Sequence, residues 1–291
     1  MTNNVTKDNF DQSESRIIDA HVHVWTSDMA KYPLFAGVNP SDLWRPSFTP
    51  EQHYEYSLSV GRIRFNLVQM TPFYGTDHSY ILDLISNDPK TFAGTGIIDL
   101  EDSNPSQTML DLSKKGCHAF REPTNAWDHP TMSKLFSTGG KNNLALSFNM
   151  GIEGLPGLDK MCSEFPDTPV ILDHLCHVGI KNANYSKREI GSLIEFSKHK
   201  NVMIKIGPFQ ALGKRKHPYI DLLPLIKAVV KAYGSHRCMW ESDSGGPIWM
   251  KNPKIEYPSA IELIRNHADF LSDKDKDQLL FKTAEKFFFN R

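Results

Sequence analysis

The chain has 291 residues, 40% of them hydrophobic and 23% charged, and a formal net charge of −1 at pH 7. This composition is typical of a globular protein, and the balanced charge argues against a surface for nucleic acid or for an anionic membrane. No apolar run approaches the roughly 20 residues that a membrane span requires. Homo-oligomer formation stays open.

The first 15 residues are polar and lack the apolar stretch of a secretory signal. We therefore predict a disordered or loosely attached arm over residues 1–15 and one domain over residues 16–291. The four cysteines are Cys117, Cys162, Cys176 and Cys238. None forms a Cys-x-x-Cys pair, so they are expected to be reduced thiols in or near the core of a cytoplasmic protein.

Short apolar runs recur along the chain, and most of the segments between them can hold a helix. Eight runs are predicted as strands: Ile17–Val24, Ile63–Met70, Phe92–Ile98, Cys117–Arg121, Leu144–Asn149, Val170–Leu175, Val202–Ile206 and Cys238–Asp243. Helices are predicted at Ser79–Ser86, Pro105–Lys115, Met132–Phe136, Leu158–Phe165, Lys187–Lys198 and Ile220–Tyr233. This alternation indicates parallel βαβ units, and eight of them predict a single (β/α)8 TIM barrel. A doubly wound open sheet is disfavoured because no Gly-x-Gly-x-x-Gly turn follows the first strand.

Two segments stand outside the alternation. Trp25–Phe48 is a long first loop rich in aromatic residues and prolines, and we expect it to cover the barrel mouth as a lid. The last helical stretch, Asp273–Phe289, ends in three phenylalanines. That triplet is expected to pack under the barrel or against a partner subunit.

The first predicted strand carries two histidines, His21 and His23, one residue apart in an apolar run. Residues i and i+2 of a strand point to the same face, so both imidazoles are expected to project together. Such a pair can form half of a divalent metal site or a pair of hydrogen-bonding groups. Two incidental polar residues in a strand are the alternative.

Polar residues also end most of the other predicted strands, where the active groups of a barrel enzyme lie. They are Gln69, Asp99, Arg121, Glu122, Asn149, Asp173, His174, His177, Lys205 and Asp243. Structural roles remain open for several of them. Gln69 could fill a layer of the barrel interior, and Lys205 could pair with Asp173. Asp99 is expected to cap a turn, and Asp19 to orient a histidine.

Three motifs resemble signatures of the amidohydrolase superfamily: Asp19–Trp25, Ile171–His177 and Met239–Asp243. The chain is most similar to the amidohydrolase 2 branch of TIM-barrel hydrolases. Within that branch it is similar to the lactonases of sugar acids and of pyrone dicarboxylate. The resemblance spans Arg16 to Phe289 and depends on the order and spacing of the motifs together.

The resemblance implies an active site formed by His21, His23, His174 and Asp243. Relatives that use a metal hold one divalent ion there, usually zinc, whereas several lactonases of the group work without one. In both versions Asp243 is the general base that takes a proton from the attacking water, and the metal or histidine donors polarise the carbonyl oxygen. The residues expected to contact substrate are Arg121, Lys205, Arg215, Gln69, His177 and Trp25.

The chain departs from the group's pattern at three points. Ser244-Gly245-Gly246-Pro247 follows the last strand where Trp-Pro is usual, and Glu241 and Cys176 stand where glycine is common. These changes leave the catalytic positions intact and alter the wall of the pocket. No lysine is placed to serve as a carbamylated bridge, which argues against a two-metal site.

The leading hypothesis is a hydrolase that opens a small polar or acidic lactone, such as a sugar lactone. The first alternative is a zinc-dependent decarboxylase of an aromatic or muconate-type acid. The second is a non-catalytic barrel that binds a small molecule. It is disfavoured because all four implied active-site residues are present.

Overall fold

Eight parallel strands form one sheet in the order β1 to β8, which confirms the predicted TIM barrel. The strands are β1 Ile17–Val22, β2 Ile63–Val68, β3 Phe92–Gly96, β4 Cys117–Arg121, β5 Ala145–Phe148, β6 Val170–Leu172, β7 Val202–Ile206 and β8 Cys238–Trp240. This computed structural model describes residues 17–181 and 185–290. The arm predicted over residues 1–15 lies outside the described residues.

The two edges of the sheet meet between β8 and β1. Val22 forms a parallel bridge with Ser244, and the N–H of His23 donates to the carbonyl of Ser244 at 2.9 Å. This contact closes the barrel with residues that lie beyond the end of β8. Asp243 therefore sits in a turn and not within the strand, which the sequence predicted to be three residues longer.

Helices occupy the connections between the strands. They are α1 Pro50–Ser57, α2 Thr71–Tyr74, α3 Ser79–Asn87, α4 Pro105–Lys114, α5 Pro130–Asn142, α6 Leu155–Glu164, α7 Lys187–Glu195, α8 Leu223–Tyr233, α9 Pro253–Glu262 and α10 Asp273–Asp277. A wider helical turn, Leu263–His267, follows α9, and the turns Gln278–Lys282 and Glu285–Phe289 follow α10. Among the described residues, no helix combines the length and the apolar character that a membrane crossing needs.

A barrel-bottom cluster joins the inner face of the strands to the helical tail after α10. Its buried members are Ile18, Ala20, Ala93, Ala119, Ala145, Ile171, Met239, Phe281, Ala284, Phe287 and Phe288. The four small strand alanines leave room for the phenyl rings of the tail. Of the two packing modes predicted for the phenylalanine triplet, the structure shows the one under the barrel.

The first strand carries one residue more than its neighbour. Asp19 pairs with Phe65 and Val22 pairs with Leu67, so three steps along β1 match two along β2. Ala20 faces the barrel-bottom cluster, whereas Asp19 faces α9 and accepts a hydrogen bond from Tyr257. The extra residue breaks the alternation, so His21 and His23 face the interior as well. Strict alternation from Ala20 would have turned both histidines outward.

The long first loop is fixed at both of its ends. Trp25 and Phe48 exchange two backbone hydrogen bonds, of 3.0 and 2.9 Å. The Trp25 ring is buried against the rings of Trp44 and of Trp249, the second of which comes from the loop after β8. The guanidinium of Arg45 stacks 3.8 Å from the ring of Trp249. The first and last loops of the barrel thus contact each other through aromatic side chains.

We expect Phe288→Ala to lower the free energy of unfolding by about 3–5 kcal/mol, because it removes a fully buried ring from the barrel-bottom cluster. Urea denaturation measures this loss. Phe35→Ala is the matched control, since the Phe35 side chain is 54% exposed and should lose less than about 1 kcal/mol. Equal losses in the two variants would contradict the contribution of the tail to the barrel-bottom cluster.

One carboxyl group beyond β4 is buried without a charged partner. Glu122 is 4% exposed, and neither of its carboxyl oxygens accepts a hydrogen bond of good geometry. Burial raises the pKa of this carboxyl to about 8, and the nearby backbone of Ile98 offsets the rise only in part. Glu122 therefore carries a proton in the folded protein at neutral pH.

Because Glu122 is buried with its proton, the free energy of unfolding should fall as the pH rises. The unfolded chain releases the Glu122 proton near its ordinary pKa of 4.5 and the folded protein near 8, so stability falls as pH rises between those values. Glu122→Gln cannot titrate. Its unfolding free energy relative to the unaltered protein should rise from pH 4.5 to 8, by on the order of 3 kcal/mol. Urea denaturation across this range measures the difference, and a flat difference would contradict the assignment.

Candidate active site

His21 in β1 and His23 just after it meet at the mouth of the barrel. The Nε2 atoms of His21 and His23 lie 3.1 Å apart. Nδ1 of His23 is 3.0 Å from the carbonyl oxygen of Val68, so this nitrogen carries the proton and Nε2 presents a lone pair. Burial, together with the neighbouring His21 and Arg121, holds the pKa of His23 well below its usual range. The predicted projection of both imidazoles to one side is confirmed.

Asp243 reaches the same point from the turn after β8. Its Oδ1 lies 3.7 Å from Nε2 of His21 and 3.6 Å from Nε2 of His23. The backbone there is left-handed, with φ of 51°. A Cβ on Gly246 would fall 2.4 Å from Oδ2 of Asp243, and one on Gly245 would fall 2.2 Å from the carbonyl oxygen of His23. The unusual Gly-Gly pair is thus what lets the turn approach β1.

These three side chains fit a divalent metal ion. A point equidistant from the two Nε2 atoms and Oδ1 lies about 2.0 Å from each, which is the length of a zinc–ligand bond. Oδ1 of Asp243 is buried and accepts no hydrogen bond, as expected of an oxygen that needs a cation or a substrate proton. His21, His23 and Asp243 therefore form a group that could hold one ion.

His174 lies beside this group and not within it. Its ring centroid is 4.7 Å from that of His21, and its Nδ1 is 2.8 Å from Oε1 of Glu241. His21, His174 and Glu241 form a second group of suitable ligand atoms. The ammonium of Lys205, 3.0 Å from Nδ1 of His21, disfavours a cation there. Of the four residues expected to converge, three meet at one point and the fourth flanks them.

The turn that carries His174 is strained. His174, Leu175, Cys176 and His177 all have φ between 50° and 57°, in the left-handed region. Each such residue costs about 1–2 kcal/mol relative to a right-handed one. Glu241 opposes this cost, because its Oε1 accepts the backbone N–H of His174 at 2.9 Å as well as the ring Nδ1. Burial raises the pKa of Glu241, but the adjacent His174 reverses the shift, and the carboxylate stays ionised.

A buried ion pair lies beneath the histidines. Nζ of Lys205 is 3.0 Å from Oδ1 of Asp173, which also accepts a hydrogen bond from Ser147 at 3.0 Å. Nε of Arg121 is 3.7 Å from the other carboxylate oxygen. Burial raises the pKa of Asp173, but the positive charge of Lys205 and the adjacent His21 outweigh it and hold this pKa well below its usual range. Lys205 thus pairs with Asp173, the structural alternative left open for it.

The other residues expected to contact substrate have different surroundings in the structure. His177 stacks on His174 with ring centroids 5.9 Å apart and bonds Oδ1 of Asn149 at 2.6 Å. The amide nitrogen of Gln69 donates to the carbonyls of Gly75 and Asp77, so it supports a loop. Trp25 is fully buried. Arg215 is exposed on a turn and donates to the carbonyl of Ile180.

Glu241 is the principal site residue that the list of candidates omitted. It was noted as a departure from the common glycine, and its position two residues before Asp243 was the available signal. In the predicted strand Cys238–Asp243 those two residues would share a face, which indicated that the glutamate lies near the same mouth of the barrel. Asp19, by contrast, accepts the N–H groups of Ser242 and His21. It supports the backbone of β1 and not a histidine ring.

Replacing Lys205 should destabilise the fold, because Asp173 loses its buried counter-ion. Lys205→Met is expected to lower the free energy of unfolding by about 3–5 kcal/mol, because it leaves a buried carboxylate without its counter-ion. Asp173→Asn alone should cost a similar amount. The double variant should lose clearly less than the sum, as measured by urea denaturation. Additivity within about 0.5 kcal/mol would contradict direct pairing.

Comparisons with known proteins agree with this architecture. A family model for amidohydrolase 2, described as amidohydrolase, matches residues 18–289. A solved amidohydrolase from Burkholderia multivorans with bound zinc has a TM-score of 0.74 and 18% identity, and the match covers 94% of this chain and 99% of that one. A search of curated proteins found no match.

Two further solved structures are similar over the same share of this chain. One is a candidate 2-pyrone-4,6-dicarboxylic acid hydrolase from Pseudomonas putida, with a TM-score of 0.73, 18% identity and 97% of that chain covered. The other is 2,6-dihydroxybenzoate decarboxylase from Rhizobium, with a TM-score of 0.61, 11% identity and 98% of that chain covered. At these identities the structures establish the fold. The family model covers nearly the whole chain, and the protein therefore belongs to the amidohydrolase family of enzymes.

Proposed function

We propose that this amidohydrolase opens a small polar or acidic lactone by hydrolysis. The observation that carries the proposal is the unbonded Oδ1 of Asp243, held within 3.7 Å of two imidazoles at the mouth of the barrel. A carboxylate in that position can accept a proton from water. The name of the structurally similar pyrone-dicarboxylic acid hydrolase supports an acidic lactone as the substrate class.

In the proposed reaction Asp243 takes a proton from a water molecule, whose oxygen adds to the carbonyl carbon of the lactone. The ring C–O bond then breaks, and the ring oxygen leaves with a proton as a hydroxyl group. His174 is the proposed proton donor. Burial lowers the pKa of its imidazole, but the carboxylates of Glu241 and Asp243 outweigh this and raise the pKa above its usual value. The product is a hydroxy acid, which releases one proton at neutral pH.

Arg121 is the proposed ligand for a substrate carboxylate. Its guanidinium is partly exposed, and its positive charge acts on both His23 and His177. A planar guanidinium matches a carboxylate with two parallel hydrogen bonds. Lys205 is fully buried, and we propose that it serves the reaction through His21 and Asp173 without touching the substrate.

Zinc is the proposed metal if one is used, and His21, His23 and Asp243 would hold it. When bound, a divalent ion supplies Lewis-acid polarisation of the carbonyl and lowers the pKa of water. We also propose a cytoplasmic enzyme, since all four cysteines are free and buried. Its proposed partner is a small-molecule substrate, with neither nucleic acid nor membrane involved.

Asp243→Asn should lower the rate of lactone hydrolysis by about 10²- to 10⁴-fold, because the amide cannot accept the proton of water. The assay follows proton release with a pH indicator over a panel of sugar lactones and dicarboxylate lactones. Asp167→Asn, at an exposed aspartate in the turn before β6, is the matched control and should keep full activity. A rate for Asp243→Asn within tenfold of the unaltered protein would overturn the assignment of the base.

Metal analysis and product analysis of the purified protein distinguish the lactone hydrolase from the two alternative functions. The similar 2,6-dihydroxybenzoate decarboxylase supports a zinc-dependent decarboxylase as the second candidate. One zinc ion per chain with release of carbon dioxide from an aromatic or muconate-type acid, and no lactone turnover, would favour it. Binding of such compounds without any turnover would favour a non-catalytic barrel.

A further inference from the structure

A basic turn lies in the connection between β7 and α8. Lys214, Arg215 and Lys216 form the longest unbroken run of cationic residues in the sequence, and the segment 207–219 contains no carboxylate. All three residues are exposed. Because the whole chain has a net charge of −1, this turn concentrates positive charge that is balanced elsewhere on the molecule.

Hydrogen bonds fix this loop at the mouth of the barrel. Nε2 of Gln210 donates to the carbonyl of Ser242 at 2.8 Å, one residue before the proposed base. The N–H of Gly213 donates to the carbonyl of Gly179 at 3.0 Å, in the segment that follows the His174 turn. The loop therefore connects the ends of β6 and β8, and its basic turn lies beside the candidate active site.

The loop after β6 adds a fourth cation to this turn. Nη2 of Arg215 donates to the carbonyl of Ile180 at 2.6 Å, and the exposed Lys181 follows Ile180 in the chain. The N–H of Ile180 donates in turn to the carbonyl of His177 at 3.0 Å, so the cations adjoin the stacked histidines. We define the basic rim as Lys181, Lys214, Arg215 and Lys216.

Neighbouring carboxylates neutralise little of this charge. Over residues 17–181 and 185–290, no ion pair joins a residue of the basic rim to a carboxylate. Asp221 contacts the turn, but its Oδ2 accepts the backbone N–H of Lys214 at 2.8 Å and offsets at most one of the four charges. Glu256 is buried and binds the hydroxyl of Tyr219. The positive charges of the rim therefore act on solutes that approach the mouth.

A substrate with a carboxylate would need such attraction to enter this site. The carboxylate of Asp243 lies at the mouth and repels an approaching anion, and those of Glu241 and Asp173 lie deeper in the same site. Lys205 is fully buried and already paired with Asp173. The exposed rim can attract an anion through water over a distance of about 10 Å at moderate salt.

We propose that the basic rim attracts anionic substrates to the barrel mouth, and that the enzyme acts on lactones that carry at least one carboxylate. This inference rests on the proposed function and deepens it, because it selects acidic lactones over neutral sugar lactones. The rim acts on the substrate before it reaches Arg121, the proposed ligand of the carboxylate. Such a role changes kcat/KM in a way that salt removes and leaves kcat unchanged.

The test reverses two rim charges and keeps the hydrogen bond of Arg215. The double variant combines Lys214→Glu with Lys216→Glu. At a separation of about 10 Å in water, Coulomb's law predicts a fall of about 5- to 10-fold in kcat/KM for a lactone with one carboxylate, at about 0.01 M salt. The fall should shrink to less than about twofold at about 1 M salt. For a neutral sugar lactone, kcat/KM should stay within about twofold at both concentrations.

The matched control makes the same change of net charge at the opposite end of the barrel. It combines Lys90→Glu with Lys200→Glu, at exposed lysines that precede β3 and β7. Its kcat/KM should stay within about twofold of the unaltered protein for both lactones. An equal fall in the two double variants would overturn the proposal. A fall that persists at high salt, or no fall in the rim variant, would overturn it as well.

A second measurement does not depend on turnover. Isophthalate is a planar dicarboxylate that a lactonase cannot hydrolyse, and isophthalamide is its neutral counterpart. By calorimetry at about 0.01 M salt, the rim variant should bind isophthalate at least about tenfold more weakly than the control variant does, with no difference for isophthalamide. Equal isophthalate affinities in the two variants, or no binding by the unaltered protein, would overturn the proposal.

The two measurements distinguish a failure of this inference from a failure of the proposed function. Isophthalate binding that depends on the rim, without lactone turnover by the unaltered protein, would overturn the proposed function and leave the attraction of anions standing. Turnover of neutral sugar lactones, with isophthalate bound equally by both double variants, would overturn the role of the rim and leave lactone hydrolysis standing.

Discussion

The active site depends on charges that the barrel buries in matched pairs. Lys205 and Asp173 lie fully out of water, and either one alone would destabilise the fold. Glu241 is buried against His174 in the same layer. His21 stands between the two pairs, with Nδ1 within 3.6 Å of a cation and of two carboxylates. The imidazole of His21 is therefore surrounded by buried charged groups.

Backbone geometry brings the candidate active-site residues together. An extra residue in β1 turns His21 and His23 inward. Asp243 has a left-handed backbone conformation, and the two glycines after it let its turn approach the histidines. His174 lies in a turn of left-handed residues. Each of these three backbone conformations departs from regular strand or helix geometry. Their contacts join β1, β6 and β8, so the strain of each turn is carried by hydrogen bonds to another strand.

The barrel could be predicted from the sequence because it follows from local patterns. All eight strands were expected within a few residues of their observed positions, since apolar runs and the spacing between them encode parallel βαβ units. The site was predictable where a polar residue closely follows an apolar strand, as for His23 and Asp243. The extra residue of β1 was not predictable, because an insertion in pairing depends on the neighbouring strand. The partners of Gln69 were not predictable either, since a polar residue at the mouth can bind substrate or neighbouring groups equally well. For Lys205 the sequence left pairing with Asp173 and contact with substrate both open, and the structure shows the pairing with Asp173.

The backbone pairing of Trp25 with Phe48 separates the long first loop from the strand before it. Because both ends of the loop are bonded to each other, a change in its middle does not have to pass into β1. The residues between the paired ends include Trp44 and Arg45, which contact the last loop of the barrel. A change in the middle of this loop would therefore act on its contacts with the last loop of the barrel and leave the pairing of β1 with β2 in place.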